Sequence, residues 1–221
     1  MIPSAEDAAL VSAMEDILDV YCRPHDPLRP VVCLDESPKE LRAHVRPPLP
    51  VEPDRPQRID DHYQRNGTRN LFIACEPLRG WRETKVTARR TKQDRAHFVQ
   101  ELVDVHYPDT ERIVLVMDNL NTHRPASLYE TFPPAEAKRT WDRLEIHYTP
   151  KHGSWLNVAE CELSVLSRQC TRRRIPDEQT LIDEVTAWRN ERNAHTATVN
   201  WRFTTDDARI KLKHLYPTLH A

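Results

Sequence analysis

Asp118 closes an apolar run, Ile113 to Met117, and Asp35 closes another, Val31 to Leu34. A short continuous apolar run reads as a strand buried on both faces. Open α/β sheets bind their ligands beyond the carboxyl ends of such strands. A carboxylate placed there is costly unless it is paired or holds a metal. A third acid is available on the helical pattern 156–170, whose apolar stripe is Leu156, Ala159, Leu163, Leu166 and Cys170. Glu160 and Glu162 fall on opposite rims of that stripe, and periodicity does not choose between them. Asn157 lies one turn before Glu160 on the same side, whereas Glu162 also reads as a solvated flank. Acids meeting from two strand ends and one helix would form a divalent-metal site. Phosphoryl transfer on nucleic acids uses ions ~3.5–4 Å apart, and Mg²⁺ prefers a few carboxylates completed by water and substrate phosphates. Taken singly, each aspartate reads more readily as a helix cap or a solvated loop residue than as a metal ligand.

Other chemistries find less support. The chain has no GxxxxGK[ST] phosphate loop and no GxGxxG. Ser154 lacks the surroundings of a nucleophile elbow, and the 11 histidines form no HExxH pair. Five cysteines, odd in number and without metal-ligand spacing, suit a reducing cytoplasm. No run approaches a membrane span. The formal net charge of −2 gives no global field for nucleic acid. Cations instead cluster in two regions: Arg79, Arg82, Lys85, Arg89, Arg90, Lys92 and Arg95, then Arg168, Arg172, Arg173 and Arg174.

The elements that must position the acids follow from periodicity. An amphipathic helix spans 1–20, with Ser4 as its cap, and leads through a proline-bearing connector to the strand 31–34. The proline-rich stretch 38–56 reads as an exposed loop, with short strands near 57–63. Arg65-Asn66-Gly67-Thr68 reads as a turn before a buried strand, 70–76, which pairs antiparallel with 81–87. A helix over 92–107 precedes the strand 112–117. A helix over 125–137, broken at Pro133-Pro134, precedes the strand 144–148. Asp177 caps a last long helix. Three strands followed by α/β alternation predict an α/β fold: a mixed five-stranded sheet flanked by helices.

Several long stretches, in order, carry a resemblance: LDE at 34–36, RNGT at 65–68, LVDVHYP at 102–108, DNLNTH at 118–123, YTPKHGSWLNVAE at 148–160, ELSVLSRQC at 162–170 and NWRFTT at 200–205. Together they resemble the DDE transposases of the mariner-like superfamily, most of all the bacterial insertion sequence 630 branch. The resemblance covers roughly residues 8–217. It implies a ribonuclease H-like catalytic domain over 31–217, preceded by an N-terminal helix and connector over 1–30. It implies Mg²⁺ or Mn²⁺, two ions with DNA bound. It also implies DNA partners, namely transposon ends and a target at TA, with assembly as a dimer on DNA in a bacterial, nucleoid-associated cytoplasm.

Carried over residue by residue, the resemblance makes Asp35, Asp118 and Glu160 the catalytic, metal-holding acids. Asn157, Asn119 and His123 are implied as supporting residues. Arg89, Arg90, Lys92, Arg168 and Arg172 are the expected DNA contacts, the runner-up being a solvated face. Two departures stand out. The chain begins about thirty residues before Asp35, where family members carry helix-turn-helix domains, so it reads as the catalytic half. The interval from Asp118 to Glu160 is also long, and 126–143 reads as the insertion. An alternative is a catalytically unproductive remnant that only binds DNA or a partner.

Overall fold

Ile113–Met117 becomes a strand whose five residues are all buried, with helices over both faces of its sheet. The computed structural model describes residues 7–50, 54, 58–118, 125–151 and 153–218. In chain order its elements are α1 (Ala8–Tyr21), β1 (Val31–His44), β2 (Tyr63–Glu76), β3 (Trp81–Thr87), α2 (Lys92–Glu101), β4 (Ile113–Met117), α3 (Ala126–Tyr129), α4 (Pro134–Asp142), β5 (Leu144–Tyr148), α5 (Val158–Leu166), α6 (Glu178–Ala194) and α7 (Thr205–Lys211). The strands form one mixed sheet in the order β3-β2-β1-β4-β5. β1, β2 and β3 pair antiparallel, and β1, β4 and β5 run parallel.

Alternation along each strand sorts the core into two layers. Cys33, Ile73, Cys75, Val114 and Val116 pack with α1, α5 and α6. Val32, Leu34, Phe72, Ala74, Leu115 and Met117 pack with α2. The first helix is therefore part of the main core, through Met14, Ile17, Leu18 and Tyr21. Its cap is Asp7, whose Oδ1 accepts from the Leu10 amide; Ser4 lies outside the described residues.

Two expectations need correction. The stretch after Ser37 is not a loop at first: β1 continues through Pro38 to His44, and β2 begins at Tyr63, so Arg65–Thr68 is strand rather than turn. Proline normally excludes itself from sheet interiors. Here β4 pairs with β1 over Val31–Cys33, so among the described residues one side of β1 has no strand neighbour at Pro38, and pairing with β2 carries it on. The register slips between Glu40 and Arg42, opposite Gly67 at φ +93°, as in a bulge built on a left-handed glycine. Where short strands are expected near 57–63, the described residues form one isolated bridge, Leu49 to Arg58, before β2.

Elsewhere the differences are local. The helix expected over 92–107 is α2, fixed at Thr91 by a capping box with Asp94, and it widens into a π-turn at Leu102–His106. The stretch 126–143 forms α3 and α4, with Pro134 starting the second helix. The pattern 156–170 is a short 3₁₀ turn, then α5, then a π-turn over Ser167–Thr171.

Glycine positions give a stability test. Gly80 sits at φ +70°, and a Cβ there would lie 2.6 Å from the Thr196 carbonyl carbon. Gly67→Ala, with only the Arg69 side chain at 3.8 Å, meets the backbone penalty alone, about 1 kcal/mol. Gly80→Ala adds overpacking against backbone and should lose about 3 kcal/mol in denaturant unfolding.

Candidate active site

The register between the parallel strands brings the two aspartates together. Cys33 lies opposite Val116, and two residues on from each stand Asp35 and Asp118. The period of two keeps both on the face of Cys33 and Val116, on neighbouring strands ~4.8 Å apart. That face is the one covered by α5.

Asn157 ties α5 to this strand end. It is the N-cap, its side-chain oxygen accepting from the Ala159 amide at 3.1 Å. Its Nδ2 donates to the Leu34 carbonyl at 3.1 Å, one residue before Asp35. Tyr21 of α1 braces the same point: its hydroxyl donates to the Leu156 carbonyl at 2.8 Å and accepts from the Val158 amide at 3.3 Å. Glu160 then falls in the first turn of α5, where the helix dipole favours a carboxylate.

A cavity of about 410 Å³ results, lined by Asp35, Asp118, Asn157 and Glu160 together with Glu36 and the hydroxyls of Ser154 and Ser167. Burial pushes the Asp35 carboxyl up to about 7; the neighbouring charges of Asp118, Glu36 and Glu160 add to this, and the Glu36 amide, donating to Asp35 at 2.8 Å, opposes it. Glu160 Oε2 is shut off from solvent and has no hydrogen-bond partner among the described residues. Among those residues no three acidic, histidine or cysteine side chains are already gathered tightly enough to hold an ion. A buried acceptor without a donor and carboxylates in mutual repulsion nevertheless suit a divalent cation. Asp35, Asp118 and Glu160 are the residues that would hold it.

The two glutamates on α5 separate cleanly. Glu162 is not a solvated flank; it is 2% exposed. Two positions on, it has turned ~200° from Glu160 and meets Arg82 of β3 in a bidentate pair, at 2.6 and 2.9 Å, with Arg192 of α6 at 3.0 and 3.2 Å. This clamp fixes the rotation of α5 and so aims Glu160 at the cavity.

The basic regions also divide. Arg82 and Arg95 are buried rather than part of a surface. Lys85 is held by Glu101, and Lys92 by Glu130. Arg89 and Arg90 are exposed, with Arg90 at 3.7 Å from Glu36 on the cavity wall. Arg168 and Arg172 are exposed just beyond Ser167, and no carboxylate pairs with either among the described residues. Asn119 and His123 lie outside those residues.

Two site residues escape the sequence reading, Glu36 and Arg95. Arg95 donates to Ser127 Oγ at 3.2 Å and contacts the Met117 sulfur, and its charge acts on Tyr148, Glu36 and Asp118. Spacing did carry a signal: Arg95 and Val99 on α2 and Leu102 at the start of the π-turn stand at i, i+4 and i+7 on one buried face.

A mixed sheet in this strand order, with acids converging at the ends of its two parallel neighbours, defines a ribonuclease H-like domain. The fold is shared with the Mos1 mariner paired-end complex with Mg, at a TM-score of 0.56 and 14% identity over 99% of this chain and 66% of that one. The Mos1 mariner paired-end complex with Mn gives 0.55 and 13% over 89% and 61%. The Mos1 transposase paired-end complex with left transposon end gives 0.54 and 12% over 89% and 60%. The chain thus spans about three fifths of the Mos1 chain. No curated protein sequence matches. The model of the DDE superfamily endonuclease domain matches residues 30–182, and the chain belongs to that family.

Two tests follow from the geometry. Because its folded carboxyl titrates above the unfolded value, Asp35 binds a proton more tightly when folded. Its contribution is therefore present at pH 4 and lost as pH rises through about 7. Metal-free Asp35→Asn should melt above the wild type at pH 8 and show little difference at pH 4. Glu162→Ala leaves Arg82 charged and buried, and should lose about 3–5 kcal/mol in denaturant unfolding; Glu160→Ala should lose far less.

Proposed function

We infer that the chain is the catalytic domain of a DNA transposase, a metal-dependent endonuclease and strand-transfer enzyme of the insertion sequence 630 type. The observation that carries this is the β1–β4 register, which sets Asp35 beside Asp118 under the first turn of α5 and its Glu160. Family membership supports an endonuclease. The Mos1 relatives of the same fold are complexes with Mg or Mn and with transposon ends, which supports divalent cations and DNA here.

On this reading Asp35, Asp118 and Glu160 hold the cations, two when DNA completes the site. The bound ions would supply Lewis-acid stabilisation of the attacking and leaving oxygens in an in-line displacement at phosphorus. Asn157 keeps Glu160 and Asp35 in register through one side chain. Arg168 and Arg172 on one flank, with Arg89, Arg90 and Lys92 on the other, grip phosphates beside the scissile one and orient the strand. The same domain then joins the released 3′ end to target DNA, at TA, in a dimer assembled on the transposon ends. No described helix is long and apolar enough to cross a membrane, and a nucleoid-associated cytoplasmic enzyme is consistent with that.

Purified wild-type protein should cut duplex DNA in Mg²⁺ or Mn²⁺, and Asp118→Asn should lower the rate at least about a hundredfold, a loss of roughly 3 kcal/mol in the barrier, with unchanged circular dichroism. Cutting at the wild-type rate by Asp118→Asn or Glu160→Gln would remove those residues from the site.

A further inference from the structure

Beyond the cavity the sheet narrows to an arm. Among the described residues no strand other than β2 pairs with β1 past Cys33, and residues 64–68 of β2 are exposed. From Asp35 to Arg42 this arm extends ~23 Å. The segment after the Ser167–Thr171 turn crosses it: the Arg42 amide donates to the Ile175 carbonyl at 2.7 Å, and Asn66 Nδ2 to the Pro176 carbonyl at 2.8 Å.

Where they cross, three guanidinium groups gather on one ring. Arg42, Arg174 and Arg65 lie 4.6, 5.4 and 5.9 Å from the centroid of Tyr63. Their carboxylate partner is Glu40, with Arg42 and with Arg65 at 3.1 Å. Arg174 instead donates to the carbonyls of Asp61 and His62, at 3.2 Å each. Nearby Asp60 is taken by Arg46 and His62. Among the described residues these three cations pair with one carboxylate, Glu40, which leaves a local excess of positive charge on the ridge. Both terminal nitrogens of Arg174 are already engaged, with His44 and with those two carbonyls, so it is the exposed Arg42 and Arg65, stacked on Tyr63 and bound to Glu40 through Nε, that have further N–H donors to offer a phosphate. Along the chain, the exposed Arg168 and Arg172 fall between Ser167 on the cavity wall and Ile175–Pro176 on the arm.

We propose that the Tyr63 arginine cluster is a second DNA-docking surface, which holds the phosphate backbone of the duplex about seven base pairs from the scissile phosphate. The separation follows from the ~23 Å of arm and the ~3.4 Å between phosphates along a strand. This rests on the reading of the cavity as a DNA-cutting site. The surface is sequence-independent: it grips backbone and sets how far the duplex must extend beyond the cut.

The test uses the full chain and a duplex of about 30 base pairs, titrated by fluorescence anisotropy between about 50 and 200 mM salt. Replacing Arg42, Arg65 and Arg174 together by Ala should weaken binding roughly tenfold and lower the log–log salt slope by about two. Tyr63→Ala, which keeps every charge, should give a smaller loss of affinity. Unchanged affinity and slope in a triple variant of wild-type melting temperature overturns the proposal. If the triple variant fails to fold, Arg65→Ala decides: its side chain is 70% exposed, and it must lower the slope by about one, an unchanged slope overturning the surface. Poly-glutamate competing as well as DNA at equal charge would assign the cluster to an acidic protein and also overturn it. The two readings fail separately. A chain that binds through the cluster but never cuts DNA refutes the cavity assignment, and a chain that cuts DNA with the cluster removed and binding unchanged refutes the cluster.

Discussion

Two carboxylates at the ends of adjacent parallel strands, with a third on the helix above, repel one another across a partly buried cavity. The surrounding structure holds that repulsion in place. Asn157 bonds the helix start to the strand carrying Asp35, and Tyr21 bonds the same turn to α1. Glu162, Arg82 and Arg192 lock the far side of α5 to β3 and α6. Arg95 brings a buried cation to the other side of β4. Without these ties the acids would relax apart or turn to solvent. A divalent cation relieves the repulsion directly, and so a site of this kind is strained when empty and settled when filled.

The clamp on α5 also explains why neighbouring acids on one helix have different fates. Glu160 and Glu162 are two residues apart and equally acidic, yet one faces a polar cavity and the other a buried arginine. Burying the Arg82–Glu162 pair removes two charges from water, which is tolerable here because each guanidinium and carboxylate edge finds a partner. The clamp contributes specificity of orientation to α5 more than net stability.

How much of this was legible in the sequence depended on distance along the chain. The run Ile113–Met117 announced a strand buried on both faces because burial itself writes the pattern, and Asp118 at its end lines the cavity. The extension of β1 through Pro38 was not legible, because its one strand partner, β2, lies beyond a long connection and its exposed face carries no apolar alternation. The choice between Glu160 and Glu162 was beyond periodicity, since Arg82 lies 80 residues away from Glu162. Resemblance chose Glu160, which lines the cavity, whereas Glu162 is buried against Arg82. Arg95 was counted among surface cations, although its helical spacing from Val99 and Leu102 marked it as inward-facing.

The central claim is that Asp35, Asp118 and Glu160 form one cation site. Its most direct test is a crystal of the chain with Mn²⁺ and duplex DNA, in which anomalous scattering locates the ions. Anomalous peaks are expected at the carboxylates of Asp35 and Asp118, one of them shared with Glu160, with phosphate oxygens completing the coordination. Peaks elsewhere, or DNA bound with no ion at these three side chains, would contradict it.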